Sequence, residues 1–213
     1  MNKRIIYFAG YKGHRSNKFE IIKEYFTSYE CIQFDQTLDF VRDIIQLEKL
    51  IVNSETAIIA SSMGCLTALY MHFKYSLPIV LINPSLYPDE TLKTEFTDSE
   101  IQTIKNIRAC LISMKTRKEI NLFIAEDDER VNHDRFFEQF KENIQFIDRS
   151  PIGGHSYSIL KQKLKLMSLY LSREKMDIED LFAMFENEMV ENCFGDIDEL
   201  PDILSQKSIF KTK

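Results

Sequence analysis

The chain has 213 residues, 44% of them hydrophobic, and a formal net charge of -6, which suits one compact domain with a sizeable core. The acidity is concentrated: residues 177–202 hold ten carboxylates and no Lys or Arg, a balance that excludes a nucleic-acid footprint and marks an appended segment. The cysteines Cys31, Cys65, Cys110 and Cys193 are scattered, with no CxxC pair and no histidine at ligand spacing, so neither a disulfide framework nor a zinc site is expected.

Taken in chain order, Lys3–Ala9 (KRIIYFA) reads as a buried strand, too short for the apolar core of a secretory signal. The expectation is a cytoplasmic protein that does not span a membrane. The following "AGYKGHRSNK" lacks the spacing of a phosphate-binding loop. Phe19, Ile22, Tyr25 and Phe26 repeat with a helical period over 17–28; Cys31–Asp35 is a short strand, and Leu38–Val52 a helix. Strand Thr56–Ala60 runs into a helix over Gly64–Tyr75, and Pro78–Asn83 (PIVLIN) is again a buried strand. An insertion over 87–118 then interrupts the rhythm, with Thr97 and Glu100 at the spacing of a capping box; it is placed to roof a cleft. Strand Asn121–Ala125, helix His133–Lys141, extended Ile144–Asp148 and a last helix over Tyr157–Leu171 complete the domain. Alternation of continuous apolar strands with helices predicts an α/β fold, a mostly parallel sheet with helices on both faces. Residues 172–213 are expected to form an acidic, helical extension, with Ile178, Leu181, Phe182, Phe185 and Met189 on one side.

Sites in such sheets form beyond the carboxyl ends of the strands. At the third of these, Ala60-Ser61-Ser62-Met63-Gly64 fits the strand-turn-helix pattern G-x-S-x-G, with alanine for the first glycine. The turn puts the Ser62 hydroxyl clear of the sheet and aims the Met63 amide where an oxyanion would form. Ser61 is the weaker candidate, because choosing it puts Met63 where the glycine belongs. A serine nucleophile needs a base and an orienting acid. Strand Asn121–Ala125 leads into Glu126-Asp127-Asp128-Glu129, with Asp128 the first choice of acid and Asp127 the second. The glycine-rich loop at 150–154 delivers His155 just before the last helix. His72 and His133 read as structural or surface groups, His14 as solvent-facing, and Cys65 as a packing residue in the first helical turn.

"SSMGCLTALY", "LPIVLINPSLYPDETL", "IAEDDERV" and "GGHSYS" together resemble the small YqiA-type esterases of the α/β-hydrolase superfamily, over roughly Lys3–Leu171. The resemblance implies hydrolysis of carboxylic esters or thioesters through an acyl-serine intermediate on Ser62, His155 and Asp128, with no cofactor. It adds Tyr11 to Met63 as an oxyanion donor, since Ala9-Gly10-Tyr11 stands where such enzymes have His-Gly-Phe. Ala9 and Cys65 depart from the family pattern, and the acidic end lies outside it. Acyl transfer on the same triad, or an inactive scaffold that docks a protein partner through the acidic segment, are the alternatives.

Overall fold

The computed structural model describes residues 2–13, 17–52, 54–114 and 119–172. His14, Cys193, residues 115–118 of the insertion and the acidic extension lie outside the described residues. The elements are β1 (Asn2–Phe8), α1 (Lys18–Tyr25), β2 (Glu30–Phe34), α2 (Phe40–Ile51), β3 (Ser54–Ser61), α3 (Cys65–Tyr75), β4 (Ile79–Ile82), α4 (Pro88–Thr91), α5 (Asp98–Met114), β5 (Ile120–Ala125), α6 (Asp134–Phe140), β6 (Ile144–Ser150) and α7 (Leu160–Leu171).

The six strands form one sheet in the order β2-β1-β3-β4-β5-β6, every pair parallel. Period-two alternation gives each strand two buried faces. Ile6, Phe8, Ile58, Ala60, Ile79, Leu81, Leu122 and Ile124 meet α2, α3, α5 and α6 on one side. Ile5, Tyr7, Ala57, Ile59, Val80, Ile82 and Phe123 meet α1 and α7 on the other. This unequal division follows from handedness. Right-handed crossovers running toward one edge lie on one face of a sheet, and those running the opposite way lie on the other. Only β1 to β2 runs toward the β2 edge, so α1 is separated from α2, α3, α5 and α6. The strand order therefore reverses between β1 and β3, and a crevice opens above their carboxyl ends.

The helices start where their side chains can replace missing backbone partners. The Asp39 carboxylate accepts from the Arg42 amide (3.2 Å) at the start of α2. Before α5 the capping box forms as its spacing predicts: Glu100 accepts from the Thr97 amide (2.8 Å) and the Thr97 hydroxyl from the Glu100 amide (3.3 Å). Within the insertion, α5 buries Ile104, Ile107 and Leu111 in the same cluster as α3. It is a layer helix of the sheet, and the described insertion residues that reach the cleft are Thr91 and Leu92. Arg108 of α5 holds α4 through the Asp89 carboxylate (2.5 and 3.1 Å) and the Leu86 carbonyl (3.0 Å). The Tyr87 ring has guanidinium groups of both Arg108 (4.3 Å) and Arg135 (3.2 Å) over it, which ties the insertion to α6. Among the described residues no helix is long and apolar enough to cross a membrane.

Arg108 and Asp89 are 13% and 1% exposed, so removing one partner strands a charge away from water. Asp89→Ala is expected to lower stability by about 3 kcal/mol, read by urea unfolding. Glu48→Ala, which breaks an exposed pair with Lys74, should leave the midpoint where it is.

Candidate active site at the sheet rim

β3 ends at Ser61, and the chain turns through a single 3-10 turn, Ser62–Gly64, directly into α3. Ser62 takes a left-handed backbone with φ 52, a conformation that costs a non-glycine residue roughly 1–2 kcal/mol and lifts its side chain off the sheet. Two glycines make the turn possible by close approach. A Cβ on Gly64 would stand 2.5 Å from the Phe8 and Ala9 carbonyl oxygens, and one on Gly10 would stand 2.9 Å from Ser62 Cβ. The end of β1 is thus pressed against the turn after β3. Cys65, next in the chain, is fully buried in the core, and burial pushes its thiol pKa upward.

The two serines part company here. Ser61, 3% exposed, shares a 2.8 Å hydrogen bond with the Tyr7 hydroxyl. The Ser62 Oγ lies 3.1 Å from His155 Nε2. On the far side of the same ring, Nδ1 is 3.1 Å from both carboxylate oxygens of Asp128. Ser62 and His155 line a cleft of about 1060 Å³, with Tyr7, Tyr11, Lys18 and Ser85 also in its wall. Met63 is buried beneath. The Tyr11 ring leans edge-on against Phe96 at 5.1 Å, and its hydroxyl donates to Glu95 (3.2 Å).

Each acidic residue after β5 has its own task. The Glu126 amide donates to the Ser150 carbonyl (2.8 Å). The Asp127 carboxylate accepts from the amides of Gly153 (3.2 Å) and Gly154 (2.7 Å), and Glu129 from that of His155 (3.2 Å). Asp127, the second choice of acid, therefore holds the backbone of the histidine loop, while Asp128 faces the imidazole. The Asp128 side chain is 1% exposed, and its Oδ1 also accepts from the amides of Arg130 and Val131 (2.9 and 3.1 Å). Burial alone would raise its pKa, but the imidazoles of His133 and His155 and the Arg130 amide outweigh burial and hold it well below the ordinary carboxylate range.

Three contributors are not apparent in the sequence. His133 is one: its Nε2 stands 3.4 Å from Asp128 Oδ2, with its side chain 10% exposed. Asn83, fully buried at the end of β4, is the second. Its Oδ1 accepts from the Ala125 amide (2.8 Å), and its Nδ2 donates to the carbonyls of Gly154 (2.9 Å) and His155 (3.3 Å). An Asn-Pro step closing an apolar strand was the available signal. Lys18, the first residue of α1 and 9% exposed in the cleft wall, is the third. Of the other histidines, His72 is buried, with Nδ1 2.7 Å from the Leu77 carbonyl. No group of three or more His, Cys, Asp or Glu among the described residues could hold a metal ion.

Two outcomes follow for this rim. Asn83→Asp keeps the acceptor for Ala125 but turns an oxygen toward two carbonyls. It should cost about 2 kcal/mol or more and speed hydrogen exchange at the Ala125 amide. The folded Asp128 carboxyl titrates below the unfolded one, so its stabilisation is complete above about pH 4 and drains away as pH falls further. The urea-unfolding gap between wild type and Asp128→Asn should therefore stay constant above that pH and narrow below it.

Comparison with known proteins agrees with this architecture. Est1E from Butyrivibrio proteoclasticus superposes with a TM-score of 0.60 at 13% identity, covering 87% of this chain and 89% of that one. The esterase domain from a Rhodothermus marinus protein gives 0.61 at 11%, covering 79% and 85%. Alpha/beta hydrolase domain-containing protein 10 from mouse gives 0.59 at 16%, covering 85% and 90%. These likenesses establish the α/β-hydrolase fold. No curated protein matches the sequence. Residues 5–171 match the group described as an uncharacterised protein family, UPF0227, and with the match spanning most of the chain, this protein belongs to that family.

Proposed function

We propose that the chain is a serine hydrolase that cleaves carboxylic esters or thioesters through an acyl-serine intermediate. The observation that carries this reading is the unbroken relay from Asp128 through His155 to Ser62, with 3.1 Å at each step, opening on a cleft. An isolated serine hydroxyl is a poor nucleophile, and an imidazole in hydrogen-bond reach makes it a competent one. His155 Nε2 takes the Ser62 proton as Oγ bonds to the substrate carbonyl carbon. Asp128, kept ionised by its donors, fixes the ring with Nδ1–H turned toward itself and stabilises the imidazolium. The developing oxyanion is received by the amides of Met63 and Tyr11. Collapse breaks the bond to the alcohol or thiol, which leaves with the proton from His155. A water, deprotonated by the same imidazole, then releases the acid and restores Ser62. Besides that water, the proposed reaction draws only on side chains and amides of the chain. The name of one neighbour, the esterase domain from a Rhodothermus marinus protein, supports the same reaction class.

Labelling with a fluorophosphonate should give one adduct on the wild type and none on Ser62→Ala. Turnover of p-nitrophenyl esters should fall by about 10⁴-fold or more in Ser62→Ala and His155→Ala, because such residues act as a unit. Asp128→Asn should lose several orders of magnitude. An adduct that persists in Ser62→Ala, or full turnover in Asp128→Asn alongside a dead Asp127→Asn, refutes the assignment. A wild type without any adduct points to the scaffold alternative.

A further inference from the structure

One imidazole beside the triad carboxylate takes part in no step of the proposed chemistry. His133 opens α6, and a residue in that position ordinarily turns its side chain back to accept from the first amides of the helix. The His133 side chain makes no such bond. Its backbone does that work instead: the carbonyl accepts from the amides of Phe136 (3.0 Å) and Phe137 (3.1 Å), and the Asn132 side chain accepts from the Asp134 amide (2.8 Å). The His133 ring stands beside the triad acid, its side chain 10% exposed and its Nε2 3.4 Å from Oδ2 of Asp128.

Neither ring nitrogen makes a hydrogen bond of good geometry among the described residues, and both are shut off from water. Burying polar nitrogens without replacing their water is costly, and α6 gains no cap from it. What the position gives the ring is Asp128. Burial works against the charge of that carboxylate, and the His133 imidazole is the foremost of the groups that outweigh it.

The two carboxylate oxygens are held differently. Oδ1 accepts from the amides of Arg130 (2.9 Å) and Val131 (3.1 Å), whereas His133 stands beside Oδ2. His155 Nδ1 lies 3.1 Å from each oxygen, so the catalytic ring points at the middle of the carboxylate. That symmetric aim lasts while both oxygens are restrained. A carboxylate pinned at Oδ1 alone can swing Oδ2 about the Cβ–Cγ bond and carry the ring with it. An ionised carboxylate only accepts, so the hydrogen on His133 Nε2 is the one that faces it.

We infer that His133 is a positioning residue of the relay: it restrains Oδ2 of Asp128, and through that carboxylate it keeps His155 Nε2 in line with Ser62. The inference rests on the hydrolase reading and adds a fourth residue to its machinery, one that is not among the described residues walling the cleft.

The test sets His133→Gln, which keeps an N–H near the place of Nε2, against His133→Leu and His133→Phe, which fill the space without one. With p-nitrophenyl butyrate, kcat should fall about tenfold or more in the Leu and Phe variants while KM stays within about twofold of wild type, and the Gln variant should recover to within about threefold. Wild-type kcat in the Leu and Phe variants overturns the inference and leaves the hydrolase reading standing, and so does a Gln variant as slow as the other two. In Asp128→Asn, read by the rate of fluorophosphonate labelling, adding His133→Leu should cost nothing more, because His133 acts through that carboxylate; a further loss equal to that in the wild-type background overturns the inference. If the wild type cleaves no ester and takes no fluorophosphonate, the hydrolase reading fails by itself. Urea unfolding of wild type, His133→Leu, Asp128→Asn and the double variant, with Phe in place of Leu where Leu does not fold, then decides: non-additive losses of stability sustain the hold of His133 on Asp128, and additive ones end it.

Discussion

Every strand of a parallel sheet delivers its loop to the same rim, and a loop there has no neighbouring strand to satisfy its amides and carbonyls. In this protein that backbone requirement is met by side chains of the adjacent loops, and the rest of the site depends on it. Asn83 joins the end of β4 to β5 and to the histidine loop through one amide group. Asp127 and Glu129 take three consecutive backbone N–H groups of that loop. Ser85 donates its amide to the Ser62 carbonyl at 3.1 Å. Position at the rim is thus fixed through the main chain, and the side chains of Ser62, Asp128 and His155 are left to face one another.

Close packing sets the other half of the geometry. The strand order reverses between β1 and β3, and the crevice there is narrowed by Gly10 and Gly64, which let the loop after β1 touch the turn after β3. The left-handed Ser62 is held in place by that contact and by the fully buried strands on both sides. Asp128 shows the electrostatic side of the same economy. A carboxylate this far from water stays ionised because imidazoles and loop amides surround it, and an ionised group there is what an imidazolium needs beside it.

The strands, the layer helices and the order of the three loop residues were legible in the sequence, because they rest on short periodic patterns: β-branched runs, the 3.6-residue repeat, small residues around a serine, and Thr97 with Glu100 before α5. Distant contacts were not. Asn83 works on backbone atoms 42, 71 and 72 positions away, and a backbone acceptor leaves no mark on residue type. His133 looks like any polar residue opening a helix until β5 and its loop bring Asp128 beside it. Nothing in the local sequence marks Lys18 as buried, yet in the fold it is 9% exposed in the cleft wall. The insertion, expected to roof the cleft, divides its work, since α5 packs on α3 and the short stretch before it reaches the opening.

That short stretch meets the loop after β1 at Glu95, which takes both the Lys12 ammonium and the Tyr11 hydroxyl. The stretch carrying Leu92 and the loop carrying Tyr11 are consequently latched to each other. The latch has a strong and a weak half. The ring contact between Tyr11 and Phe96 is indifferent to dissolved ions, whereas Lys12 and Glu95 are 47% and 42% exposed and lose their hold as ionic strength rises. Salt therefore reaches the mouth of this cleft through that exposed seam, as it does through the Arg130–Glu129 pair also in the lining.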